Sequence, residues 1–369
     1  MRTFAEKLQE MVEYCRLYDQ KTFVFGARKT AMLTMRFLEK HGIVPGVVVN
    51  RAYLKEAKQN NPHHECIALE DLPQICGGGI ERINIVIGFC GFRWEQIFPY
   101  RHCVARVFAY DFLGATCLWD GTGDLHLLTE DFLIAHGAEL DSLRTVLQDD
   151  LLREALDAYL MQRMYGHYAK PCDPDQYFDK ALIHLRDGEV FVDCGAFSGD
   201  TVEAFAHYMR EAFCSYNKIL AFEPARENRA ALAARIQKEA LCDVEVIPKA
   251  VWSECGEIRF EVDAGSTVGR IDTDGGTLVP ATTLDEEVFR LNVSPTFLKL
   301  DVEGAELPIL QGARHLIETY HPRIVCAVYH HFTDLLTIPQ YLQSLGGYEF
   351  YLRNHAEAAV ELDLYAIPR

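Results

Sequence analysis

The chain has 369 residues, 49% of them hydrophobic and 24% charged, with 25 glycines and 14 prolines. This is the composition of an ordinary globular protein and excludes a collagen-like or disordered chain; at roughly 150 residues per core it implies two domains. Thirty-six basic against 54 acidic residues give a formal charge of −18, which repels phosphate backbones and anionic lipid surfaces and argues against nucleic acid as a partner.

The first ten residues lack the apolar core of a signal peptide, and no run approaches the roughly 18 apolar residues of a membrane span. The expectation is a cytoplasmic protein with no membrane span. Its 12 cysteines are scattered without a C-x-x-C pair, so they read as small core hydrophobes in a reducing compartment and not as a disulfide framework or zinc site.

In chain order, a helical opening is followed by the apolar runs Thr22–Phe25, Val47–Val49 and Ile83–Ile87, separated by helical periodicity. Short apolar strands alternating with helices predict a parallel α/β sheet, here a smaller Rossmann-like domain over residues 1–120. Its first strand ends at Gly26, but Arg28 stands where a dinucleotide fingerprint needs its second glycine, which argues against a bound pyrophosphate. Residues 121–170 read as a helical connector, with Leu152, Leu156, Leu160 and Met164 on one face as a surface docking the two domains. Lys170–Pro174 breaks the helix, and residues 171–369 form the second domain.

That domain gives strands at 190–193, 218–223, 244–247, 297–301 and 323–330, with helices at 201–213, 225–240 and 305–320 and a glycine-rich, partly extended stretch before residue 297. Two closing runs, Tyr348–Leu352 and Val360–Ile367, lie too close together for a helical crossover and predict an antiparallel pair appended to a parallel sheet.

The strongest motif is Val192–Thr201 (VDCGAFSGDT), which passes from a strand end through Gly195 and Gly199 into a helix. The two glycines let the backbone turn tightly, and the helix start offers free N–H groups to a ligand. Phe197 occupies the place of a second fingerprint glycine, so a nucleoside without a pyrophosphate fits better than a dinucleotide. Thirty residues after Asp193, Glu223 ends the next strand, placed to accept both hydroxyl hydrogens of a ribose. Asp301 and Lys299 end the fourth strand, with Glu303 on the same face by alternation; Lys299 and Asp301 are expected to pair or to contact a ligand, since unpaired charge in a buried strand is costly. His330 closes the neighbouring strand and suits proton removal near neutral pH. Arg353 and His355 are further candidates. Asp301, Glu303 and His330 also suit a divalent ion, but the sequence does not show their oxygens converging, so no metal is assigned.

These motifs, with Thr283–Asp285, Leu298–Glu306 (LKLDVEGAE), Tyr329–His330, Asp334, Tyr351–His355 and Leu364–Pro368, resemble the FkbM-type family of S-adenosylmethionine-dependent methyltransferases, over about half the chain. His331, which doubles His330, departs from the pattern. The resemblance implies a seven-strand Rossmann-like methyltransferase sheet with an antiparallel final strand. It further implies S-adenosyl-L-methionine held by Asp193, Gly195, Ser198, Gly199, Thr201 and Glu223; the places of Asp301, His330 and Lys299 at the strand ends put them forward as the catalytic residues. The activity it implies is O-methylation of a hydroxyl on a sugar, glycan or natural product, a small-molecule or glycan acceptor. Asp301 is the first choice of base and His330 the second. The N-terminal domain would recognise the acceptor or mediate a homodimer. A nicotinamide-dependent oxidoreductase and a nucleoside-binding scaffold whose chemistry has lapsed are the alternatives.

Overall fold

The computed structural model describes residues 3–18, 20–27, 29–77, 81–89, 92–109, 128, 130–147, 150–165, 175–262, 269–271, 276–331, 333–356 and 361–369. Arg28, Lys170–Pro174 and the side chain of Leu152, on which three of the sequence expectations rest, lie outside them. The chain divides into two compact units, one of residues 1–134, 158–170 and 357–360, the other of 135–157, 171–356 and 361–369.

In the first unit α1 (Phe4–Leu17) starts at a capping box in which Thr3 and Glu6 satisfy each other's backbone N–H groups. It is followed by β1 (Thr22–Phe25), α2 (Lys29–Lys40), β2 (Gly46–Val49), α3 (Leu54–Asn60), β3 (Cys66–Ala68), α4 (Leu72–Ile75), β4 (Ile83–Ile87) and β5 (Val104–Phe108). The five strands form one parallel sheet in the order β3-β2-β1-β4-β5. Alternation feeds two cores. Val24, Val47, Val49 and Val86 pack with Leu8, Met11 and Leu38, whereas Phe23, Phe25, Val48, Ile85 and Ile87 pack with Leu69 and Leu72. A strand buried on both faces must be apolar throughout, which is why these runs carry no polar alternation.

Three helices, α5 (Glu130–Ala135), α6 (Gly137–Val146) and α7 (Asp150–Tyr165), precede the second sheet. Its elements are β6 (Glu189–Cys194), α8 (Asp200–Glu211), β7 (Tyr216–Phe222), α9 (Arg226–Lys238), β8 (Val244–Ile247), β9 (Ala250–Val251), β10 (Gly256–Val262), β11 (Gly269–Ile271), β12 (Thr277–Thr282), α10 (Leu284–Leu291), β13 (Phe297–Leu300), α11 (Glu306–Gln311), α12 (Arg314–Tyr320), β14 (Arg323–Ala327), α13 (Asp334–Leu345), β15 (Tyr348–Asn354) and β16 (Leu362–Pro368). The seven-stranded sheet has the order β15-β16-β14-β13-β6-β7-β8. Only β16 runs against its neighbours; the antiparallel end expected from the sequence is there. The strand order reverses between β6 and β13, and a crevice opens outside their carboxyl ends at such a point. Below it Phe191, Phe205 and Phe297 form the centre of an aromatic core, with Phe191 and Phe205 stacked at 4.4 Å.

Three features differ from the sequence reading. The glycine-rich stretch before residue 297 holds a four-stranded sheet, β11-β10-β12-β9, and then α10. The helix expected over 305–320 is two helices, with Gly312 at the break, where a Cβ would overlap the Trp252 carbonyl. The second helix restarts on Asp285, whose carboxylate accepts from His315 N at 3.0 Å and Leu316 N at 2.7 Å, while Thr283 caps α10 by accepting from Glu286 N. The Thr283–Asp285 motif is therefore a pair of helix caps. Finally, α13 lies where no element was expected, with Pro339 inside it.

Candidate functional site

The carboxyl ends of β6, β7 and β13 surround a cleft of about 300 Å³. Its walls include Gly195, Phe197 and Thr201 from the β6–α8 turn, Glu223 after β7, Val251 and Phe260 from the smaller sheet, and Lys299, Asp301, Glu303 and Glu361. Besides Gly195, two of these residues, Phe197 (φ 46°) and Glu303 (φ 55°), hold left-handed backbone conformations that side chains adopt only at a cost in strain.

Of the six residues expected to hold a cofactor, Gly195, Thr201 and Glu223 line the cleft. Gly195 (φ 82°) is demanded by the protein itself, since a Cβ would overlap the Asp301 carbonyl oxygen. Gly199 (φ 84°) leads into α8 and faces Leu232. Ser198 is half-buried in the same turn without lining the cleft, and Asp193 lies beneath the floor, fully buried. Glu223 accepts from Phe197 N at 3.0 Å and Ala225 N at 2.7 Å. Asn228 also reaches it, so fewer acceptor positions remain for a ribose than on a free carboxylate. Burial pushes its pKa up against those hydrogen bonds.

Lys299 does not pair with Asp301. Its Nζ stands 3.0 Å from Asp193 Oδ1 and donates to the Gly195 carbonyl at 3.1 Å, because strand register sets Lys299 opposite Asp193. Burial disfavours the ammonium, but Asp193 and Asp301 outweigh it and hold Lys299 above its usual range. The pair ties β13 to β6 under the cleft.

Asp301 accepts from Tyr177 Oη at 2.6 Å and Tyr329 Oη at 3.5 Å. Burial alone would raise its pKa, yet Lys299, His330 and the two phenols bring it below the ordinary carboxylate range. His330 is buried behind it, with Nδ1 at 2.8 Å from Glu306 Oε1. Burial opposes its charge, but Glu306, Glu303 and Asp301 raise its pKa well above the usual value. The two expected bases therefore sit on the wrong sides of neutrality: Asp301 gives up its proton too readily and His330 keeps its own. His331 packs on Gly304, its Nε2 at 3.2 Å from that carbonyl, so it is His330 that faces Asp301.

The sequence reading missed Glu361. It lines the cleft, and burial, with Asp301 second, pushes its pKa up to about 7. No motif marks it; only the antiparallel return of β16 brings it there. Arg353 and His355 are taken up structurally, Arg353 by Asp179 at 2.8 Å and His355 by Tyr365 Oη at 3.0 Å.

Residues 193–350 match the family model described as the methyltransferase FkbM domain. The whole chain is similar in fold to the methyltransferase FkbM from Methylobacillus flagellatus KT, at 18% identity and a TM-score of 0.68, over 98% of this chain and 93% of that one. It is also similar to an rRNA methylase from Streptococcus thermophilus (11% identity, 50% of this chain, 89% of that chain, TM-score 0.34) and to a SAM dependent methyltransferase from Aquifex aeolicus (13%, 53%, 88%, 0.30). No curated protein matches the sequence. The match begins at Asp193, and Glu361 lies beyond its span. No described helix is long and apolar enough to cross a membrane.

Proposed function

We propose that the protein transfers a methyl group from S-adenosyl-L-methionine to a hydroxyl of a sugar, glycan or natural product. The observation that carries the cofactor assignment is the charge of the cleft. Asp200, Glu223, Asp301, Glu303 and Glu361 line it, and its two lysines are already engaged, Lys249 with Glu287 at 2.6 Å and Lys299 with Asp193. A wall of this sign attracts a sulfonium and an amino group and repels the pyrophosphate of a dinucleotide. Glu223 would take the ribose, and the apolar surface of Val251 and Phe260 would take the adenine.

The sulfonium is already activated, so the protein has two tasks: to hold the acceptor oxygen in line with the methyl group and to remove its proton. Glu361, with a pKa near neutrality, suits the second task better than Asp301 or His330. Lys299 acts as a positioning residue through Asp193 and Gly195.

Calorimetric titration with S-adenosylmethionine, its demethylated product and NAD tests the assignment. The first two are expected to bind and NAD is not; the reverse order overturns it. Glu223→Ala should weaken cofactor binding by about 1.5–3 kcal/mol, the scale of hydrogen bonds to a charged group. Turnover on a panel of glycan and natural-product hydroxyls tests the acceptor class, and binding without turnover on any of them would favour a lapsed scaffold.

A further inference from the structure

The turn after β13 and the end of β14 set two carboxylates beside one ring nitrogen of His330. His330 Nε2 lies 3.6 Å from Asp301 Oδ1 and 3.7 Å from Glu303 Oε2. Both separations are too long for hydrogen bonds. They are close to what one ion imposes: donors about 2.1 Å from a shared cation stand about 3.0–3.4 Å apart at octahedral or tetrahedral angles.

Two further observations point to a cation. The imidazole is aimed by Glu306, whose Oε1 holds Nδ1 at 2.8 Å and also accepts from Val302 N at 3.0 Å. A buried carboxylate on one ring nitrogen with the other nitrogen facing oxygen donors is the outer-sphere arrangement found behind metal-bound histidines. In addition, Glu306 is fully buried and its Oε2 has no hydrogen-bond partner, although Asp301, Glu306 and His330 present ligand atoms within 4.8 Å of one another. An orphaned buried carboxylate oxygen is costly; the His330 imidazolium beside Oε1 offsets part of that cost, and a cation at Nε2, displacing that nitrogen's proton, would take over the role. Asp301 and Glu303 line the cleft, so the point is reachable from the side where substrate enters.

We propose that Asp301, Glu303 and His330 bind a divalent cation, with Glu306 orienting His330. Two carboxylates and one imidazole suit an ion that accepts both oxygen and nitrogen, such as Mn²⁺, and leave coordination positions open toward the cleft. The use of the ion rests on the methyl-transfer reading: a hydroxyl bound there would lose its proton more readily to Glu361. Binding itself does not depend on that reading.

The test is a titration of the full chain, stripped with EDTA and desalted, with Mn²⁺ alone, following loss of the free-ion signal by electron paramagnetic resonance. The wild type is expected to take up one equivalent, and Glu303→Gln and His330→Gln to weaken uptake at least tenfold. Glu286→Gln, on the first turn of α10, is the control and should leave it unchanged. Circular dichroism checks the fold, and Glu303→Gln, on the partly exposed turn, keeps the test valid if the buried His330 variant fails to fold. Absence of saturable uptake, or uptake equal in wild type and Glu303→Gln, overturns the site. A parallel cofactor titration keeps the two readings apart: Mn²⁺ uptake without S-adenosylmethionine binding removes the proposed function and leaves the metal site standing, and the opposite pattern does the reverse.

Discussion

Replacing Lys299 by Met removes one half of a pair in which both side chains are almost fully buried, 3% exposed for Lys299 and 0% for Asp193. Methionine keeps the length and the apolar stem, so the loss is electrostatic. Stranding one member of a buried pair costs about 3–5 kcal/mol. At roughly 2–4 °C per kcal/mol for a unit of this size, the melting transition of the second unit should fall by about 6–20 °C. The variant's pH dependence is the sharper readout. Burial already raises the Asp193 pKa, and without the ammonium it rises further above its unfolded value near 3.9. The native state then holds a proton that the unfolded state releases, so stability falls as pH climbs above about 4. Calorimetric scans should show a larger penalty at pH 8 than at pH 5. Neutralising the partner as well, in Lys299→Met with Asp193→Asn, should cost less than the two single changes added. A penalty under about 1 kcal/mol that is constant with pH would refute the account, since no buried charge would have been stranded.

Further tests address other parts of the domain. Gly195→Ala should destabilise the second unit and lower cofactor affinity together, because the new methyl group overlaps the Asp301 carbonyl in a left-handed turn; an unchanged melting temperature would mean that the turn adapts. Glu287 is fully buried, and although burial would raise its pKa, Lys249, Arg290 and Thr282 bring it below the usual range. It therefore contributes stability above the unfolded pKa that is lost as pH falls through the lower folded value, so Glu287→Gln should cost about 1–3 kcal/mol at pH 7 and progressively less in acid, measured by denaturant unfolding. With saturating cofactor, turnover should rise with pH through about 7 as Glu361 loses its proton. Glu361→Gln should abolish that limb and slow transfer by about 10²–10⁴-fold; an unshifted limb would assign the base elsewhere.

The seven-stranded sheet was legible because its central strands are buried on both faces, and residues 190–192, 297–298 and 324–327 are apolar runs that few other structures accommodate. The smaller sheet was not, since β12 alternates exposed and half-buried residues and its neighbours lie in a glycine-rich stretch. α13 was not foreseen, and its mid-helix Pro339 is a residue that ordinarily signals an end. Within the site, alternation correctly puts Lys299 and Asp301 on one face but says nothing of the strand alongside, and it is that strand which supplies the lysine's partner. Glu361 was invisible for the same reason: its importance comes from a burial that only tertiary structure creates.

The register that sets Lys299 opposite Asp193 has a consequence for how the domain assembles. β15 and β16 form a hairpin of neighbouring segments that needs only a short loop to close. The contact between Lys299 and Cys194, by contrast, spans 105 residues, and closing a loop of that length carries a large entropy cost before any contact compensates it. Pairing of β6 with β13 is therefore expected late in folding, and the cleft, which straddles that seam, would be absent from any intermediate lacking it. A cofactor bound there stabilises the finished sheet alone. Added during refolding, it should slow unfolding and leave the rate of folding nearly unchanged.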